Sequence, residues 1–503
     1  MIRIPGGPVT ITESAEELFR EIAPHQELFY RGGLVLELVT NDGGCFTEVL
    51  DPVSAQSRFE KYARFVKPTK PADQMLYPRT NISEAVARQY LRSEACRTML
   101  PKLNGILQCP LLVERDGQLH RVTEGYDEHT GFFIAGGRSP ECMSLQDAVM
   151  FLESLVNDFD FVTPGDKSRA TASLLTPALK LGGMIQGPIP VDVAEANASQ
   201  SGKTYRQKLI AALYNQRLAV VTKKSGGVGS MEETFNDHLV KGRPFIQFDN
   251  LRGKLDSQYL ESFLTASDMF SARIPYQGGV QIDPSKFIIL ISSNGFEATK
   301  DLANRASIIR IRKREGFHYR TLDGKDLLQL TYLWQPLFTG AVFAVVEEWF
   351  RRGKPRTTET RHDFREWVQS LDWIVQQIFH GAPIMDGHAL AKERAASPQL
   401  SFLRNLGVVC GAKDRLGTWL SASDLADLCL EEDVEIPGLP EDNQTVEEGR
   451  KQIGRIMGKL FAEAEEVSFD EFRVVKEQEK GLTSAGNEQV LTRYQFNLIN
   501  PTP

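Results

Sequence analysis

Four side chains suited to handling phosphate and magnesium fall in one order along the chain: Lys203, Thr204, Asp249 and Asn294. The first two close residues 194–204, A-E-A-N-A-S-Q-S-G-K-T, which join the apolar run 189–193 to a helix-spaced segment beginning at Tyr205. Strand, small-residue loop, Gly-Lys-Thr and helix form a cradle at a helix N-terminus. There the backbone N–H groups of Gln200, Ser201, Gly202 and Lys203 are expected to meet a β-phosphate. Asn197, Ser199 and Tyr205 complete the expected binding stretch. Lys203 is expected on the β/γ oxygens of ATP and the Thr204 hydroxyl on Mg²⁺. Asn197 stands where the first glycine of G-x-x-x-x-G-K-[ST] is usual, and Asn tolerates left-handed backbone better than most residues. A chance Ser-Gly-Lys-Thr at a helix start is the competing reading.

The later residues give the loop its company. Residues 243–250, R-P-F-I-Q-F-D-N, read as a strand ending in an acid, and Asp249 lies 46 positions after Lys203. That interval holds a helix, a strand and a helix, so Asp249 is expected beside the loop, sharing the Mg²⁺ with Thr204. Residues 286–294, K-F-I-I-L-I-S-S-N, read as a buried strand whose tip lies between the other two, with Asn294 set to orient water or touch the γ-phosphate. Arg305 precedes a further β-branched strand and is a candidate arginine finger acting across a subunit boundary, with Arg273 as a second candidate. Either reads equally as a surface ion-pair member. Lys223 and Lys224 open a glycine-rich loop that suits a phosphate backbone, or else a solvated connector.

Around these residues the chain divides into an α+β N-terminal region (1–140), a nucleotide region (141–320), a helical segment (321–398) and a tail (399–503). In the N-terminal region, residues 29–39 read as a Gly-Gly hairpin, and no paired carboxylates or nucleophile stand out. Pro336 is expected to kink or split a long apolar helix. Residues 391–398 read as a linker. The tail reads as helices followed by two strands, a winged-helix-like unit, with Arg450, Lys451 and Arg455 on a basic helix face suited to DNA. The acidic stretch before that helix suits protein docking instead.

Composition sets the outer bounds. The 503 residues carry a net charge of −8, which argues against a basic nucleic-acid coat but not against a local basic channel. The six cysteines lack C-x-x-C spacing and the eight histidines are dispersed, so neither zinc nor a disulfide framework is indicated. M-I-R-I-P-G-G-P is no signal peptide and no long apolar run occurs, so a cytoplasmic protein is expected.

The order Lys203-Thr204, Asp249, Asn294, Arg305 and then a helical segment resembles that of the AAA+ ATPases. More narrowly, F-D-N-L, Arg273, I-S-S-N-G and D-L-A-N-R-A are similar to superfamily 3 and minichromosome-maintenance-like helicase ATPases of phages, plasmids and integrative elements. The ATPase halves of primase–helicases belong to that group. The resemblance spans residues 110–400. It implies an α/β fold with a P-loop NTPase core, ATP and Mg²⁺ as ligands, a homo-oligomer (a hexameric ring) with nucleotide at subunit interfaces, and translocation on DNA. Asn250 departs from the Glu that many AAA+ proteins place after the strand-tip Asp to polarise water. Glu195, Glu232 and Glu233 are the expected substitutes. A nucleotide-gated scaffold or loader and a defence-system ATPase are the alternatives.

Overall fold

The computed structural model describes residues 1–41, 44–69, 76–196, 201–222, 229–251, 254–266, 268–274, 278–314, 316–317, 319, 321–432, 434–439, 445–462, 464–482 and 488–499. Its centre is a six-stranded sheet. In chain order the strands are β1 (Asp160–Phe161), β2 (Val191–Ala196), β3 (Ala219–Thr222), β4 (Phe245–Leu251), β5 (Ile288–Asn294) and β6 (Ala306–Arg312). They lie side by side as β1-β6-β2-β5-β4-β3, parallel except for the antiparallel edge pair β1-β6. β2 is buried along its whole length and β5 all but its last residue, which is why both read as near-continuous apolar runs. Alternate residues feed two cores. Ile288 and Leu290 join one, while Val191, Val193, Ile289 and Ile291 join the other.

The register fixes what matters for chemistry. Ala196 pairs with Asn294 and Thr222 with Asp249, so the polar ends of β2, β5 and β4 share one edge. β5 lies between β2 and β4, the position expected from its polar tip. Helix α1 (Pro164–Leu181) precedes β2, helix α2 (Lys203–Leu213) follows the loop, and α3 (Met231–Val240) follows β3. Gly202 caps α2 at φ 90°, and a Cβ there would collide with the Tyr319 hydroxyl, so only glycine fits.

The surrounding parts are fastened to this sheet. The N-terminal hairpin forms as expected, Leu28–Arg31 against Leu34–Asn41. Its Arg31 is buried and donates to Leu239 O at 2.7 Å at the end of α3, tying that region to the sheet. Residues 107–134 share one hydrophobic core with α1, α2 and the helical segment. Within that segment, Pro336 splits the apolar run into Leu327–Leu333 and α4 (Gln335–Arg351), and α5 (Arg365–Gln377) buries Trp367 against α1. No helix among the described residues is long and apolar enough to cross a membrane.

Residues 391–398 depart from the linker reading. Residues 391–395 end α6 (His388–Ala395), and after Ala396 and Ser397 the chain enters α7 (Pro398–Ala412). The buried positions of α6 are His388, Ala391, Arg394 and Ala395, a helical spacing in which His and Arg stand where apolar residues are normally sought. The tail continues with β7 (Trp419–Ser421), α8 (Ala422–Glu431), α9 (Val446–Leu460), β8 (Glu466–Phe469), β9 (Phe472–Leu482) and β10 (Glu488–Leu498). Its antiparallel sheet runs β7-β10-β9-β8 over a separate apolar core.

Candidate functional site

At the shared strand edge, four side chains meet. Lys203 Nζ donates to Asn294 Oδ1 at 2.6 Å, and Thr204 Oγ1 donates to Asp249 Oδ1 at 2.9 Å. Ser292 completes the group: its hydroxyl donates to the same Asp249 oxygen at 2.7 Å and lies 3.4 Å from Thr204 Oγ1. Lys203 is buried, and burial holds its pKa below the usual lysine value while the Asp249 charge pushes it back up. Its bonded partner is a neutral amide. Among the described residues the cleft therefore keeps a desolvated cation with no counter-ion in contact, which favours an entering anion.

Two local devices aim these groups. The β4-β5 register shifts between Phe248 and Leu251, a bulge that holds Asp249 and Asn250. Asn250 sits at φ 51°, and its N–H donates to Ser292 Oγ at 2.8 Å. Asn is enriched in that left-handed conformation whereas Glu is not, so the missing Glu at 250 has a backbone cause. Between β2 and α2, Asp192 of β2 pairs with Arg206 and accepts from Gln207 Nε2 at 3.0 Å. Gln207 also donates to Ile291 O at 2.9 Å and accepts from Gln247 at 2.7 Å. One buried polar network thus fixes α2 to β2, β5 and β4, and with them Lys203 and Thr204.

Aromatic rings flank the loop. The Tyr319 hydroxyl donates to Ser201 O at 3.3 Å, its ring lies 5.0 Å from that of Tyr205, and Phe159 stands 5.5 Å away. Tyr205 accepts from Leu328 N at 2.9 Å, so the helical segment reaches the site through it. Asn197, Ser199 and Gln200 lie outside the described residues, as do Lys223 and Lys224.

The other expected residues take several positions. Glu195 is not free to activate water: it is fully buried, ion-paired to Arg394, and accepts from Phe296 N at 3.1 Å. Glu233 caps the start of α3 by accepting from Gly229 N at 2.5 Å, and Glu232 beside it is exposed. Arg305 precedes β6, with its carbonyl bonded to Val191 N at 3.0 Å at the start of β2. β2 is six residues long, so the Arg305 backbone sits at the opposite end of that strand from Ala196, about 20 Å along it. Its guanidinium lies 3.7 Å from Asp301. Arg273 is on the hairpin Phe270–Ile274/Gly278–Ile282, which packs on α3, and its N–H donates to Asn236 Oδ1 at 2.9 Å. Neither arginine joins Lys203. On α9, Arg450, Lys451 and Arg455 are exposed, and Lys451 pairs with Glu447 at 2.8 Å.

Sequence reasoning missed Ser292, Tyr319 and Arg394. Ser292 left one signal, a polar residue inside an otherwise apolar buried strand. Tyr319 and Arg394 left none.

No protein-family model and no curated protein matches the chain. Among solved structures it is similar to the apo A-form NrS-1 C-terminal region, at 12% identity and TM-score 0.28, covering 88% of this chain and 99% of that one. It is also similar to "SCCmec type IV Cch - active helicase", at 11% identity and TM-score 0.33, covering 91% and 90%. A third match is a JCV helicase with a bound acetamide, at 13% identity and TM-score 0.21, covering 53% and 74%.

Proposed function

We propose that the chain is an ATP-dependent motor of the AAA+ type, a DNA helicase or translocase serving replication of a mobile element. The observation that supports this most is the meeting of Lys203–Asn294 with Thr204–Asp249 on three adjacent strand ends. An entering triphosphate takes Lys203 from Asn294, which frees the amide for the γ-phosphate or the attacking water. Thr204 and Asp249 offer two oxygens to Mg²⁺, a small set that suits an ion keeping its waters and phosphate oxygens. Bound there, the ion would neutralise charge on the transferred phosphoryl group. Arg305, at the far sheet edge, serves a neighbouring copy in a hexameric ring. The exposed basic face of α9 (Arg450, Lys451, Arg455) contacts DNA phosphates.

Steady-state ATP hydrolysis with and without single-stranded DNA tests the reading. Turnover that DNA stimulates and that Lys203→Ala lowers about 100- to 1000-fold is expected. No turnover under either condition would contradict the enzyme assignment.

A second reading is a nucleotide-gated scaffold that assembles and recruits but unwinds nothing. It is favoured by one observation: Asn250 supplies no carboxylate, and Glu195 is consumed by Arg394. ATP-dependent assembly with negligible turnover would select it.

A further inference from the structure

The tail is joined to the sheet by charge rather than by a linker. Asp470 lies in the tight turn between β8 and β9, at φ 46° and 6% exposed, beneath the long β9-β10 hairpin. Three guanidinium groups from three elements converge on it. Arg310 Nη1 of β6 donates to Oδ1 at 2.9 Å and Arg394 Nε of α6 to Oδ2 at 2.9 Å, while Arg404 Nε of α7 lies 3.2 Å from Oδ2.

The same arginines reach back to the nucleotide edge. Arg394 is ion-paired to Glu195 and donates to Phe296 O at 2.7 Å. Arg404 Nη1 lies 3.6 Å from Glu195. Glu195 is the penultimate residue of β2, just ahead of the phosphate-binding stretch, and Phe296 follows Asn294 by two positions. Arg394 therefore holds both strand ends that carry the site. Arg310 continues the chain of charge to Asp166 of α1 at 3.0 Å, which Arg169 also holds at 2.6 Å.

We propose that Glu195, Arg394 and Asp470 are positioning residues through which the seating of the tail sets the geometry of the two strand ends beside Lys203 and Asn294. The proposal rests on the nucleotide reading given above. With Asp470 seated, it faces Arg310, Arg394 and Arg404, while Glu195 faces Arg394 and Arg404, and Asp166 faces Arg310 and Arg169. Withdrawing Asp470 leaves the arginines crowded in low dielectric, and Glu195 is the acceptor that Arg394 and Arg404 can close upon. That pull falls on the residue adjoining Ala196 and the loop. By reciprocity, nucleotide in the loop favours the seated tail, and whatever displaces the hairpin weakens nucleotide binding.

The test uses the full chain and a fluorescent ATP analogue with Mg²⁺. Asp470→Asn should weaken nucleotide binding about fivefold or more and raise KM more than it lowers kcat. Adding Arg404→Gln to that variant removes one surplus cation and should recover part of the affinity. A folded Asp470→Asn protein that binds as the wild type does would overturn the proposal. Should Asp470→Asn not fold, hydrogen exchange on the wild type decides: nucleotide should slow exchange at residues 466–472, and unchanged exchange there overturns the coupling. Wild-type protein that binds no nucleotide would remove the nucleotide reading itself, and the coupling with it.

Discussion

The proposed nucleotide cleft and the buried charge cluster draw on the same two strands, yet they treat charge in opposite ways. In the cleft, Lys203 bonds to the neutral amide of Asn294 with no carboxylate in salt-bridge contact among the described residues, and Asp249 is held by the hydroxyls of Thr204 and Ser292. Across β2, Arg394 is closed between Glu195 and Asp470, with all three fully or almost fully buried. A site that must accept an anion keeps a cation without an ionic partner. A joint that must hold matches each cation to a carboxylate. The difference separates ligand chemistry from architecture in residues of otherwise similar type.

Cutting the joint should have the largest effect. Arg394→Met leaves two buried carboxylates short of their shared partner and should cost about 3–5 kcal/mol of stability, read from urea denaturation. The opposite pattern is expected in the cleft. Lys203→Ala should leave the denaturation midpoint near that of the wild type while lowering turnover about 100- to 1000-fold, the scale of losing one preorganised charge donor. Equal destabilisation by both changes would erase the distinction. Ser292→Ala sits between them. It removes the hydroxyl that orients Asp249 and meets the Asn250 N–H, and should raise the Mg²⁺ requirement of turnover about 10- to 100-fold, measured by metal titration.

Acid should expose a third, smaller contrast. Salt bridges with Arg310 and Arg169 hold the Asp166 carboxyl well below the usual range, so this part of the joint keeps its charge in moderate acid. His362, buried as a neutral ring, has its pKa pushed down from 6.5 to about 4, and burial lowers His388 as well. Because the folded pKa lies below the unfolded one, the unfolded chain binds more protons under pH 6.5. Stability should therefore be level above that pH and fall as pH drops from 6.5 towards 4. His362→Gln should flatten part of that slope in pH-dependent melting. An unchanged slope would assign it to other groups.

The cleft was the legible part of the chain because its information is local and apolar. Runs of Val, Ile and Leu marked the strands, and each polar residue of interest stood at the end of one. Register then followed from parallel pairing. Asn250 was legible only as a departure, and its backbone cause required seeing the bulge. The joint was illegible for a matching reason. Helix α6 buries His388 and Arg394 at helical spacing, and a search for apolar periodicity passes over such a segment as a linker. Glu195 read as a free carboxylate because its partners, Arg394 and Arg404, lie about 200 residues further along the chain.

We propose above all that the edge holding Lys203, Thr204, Asp249 and Asn294 binds a nucleoside triphosphate. Equilibrium titration of the full chain with a fluorescent ATP analogue and Mg²⁺, run beside Lys203→Ala, tests it most directly. Saturable binding by the wild type, lost in a variant with an unchanged melting curve, is the expected result. Identical titrations for the two proteins, whether both bind or neither does, would contradict it.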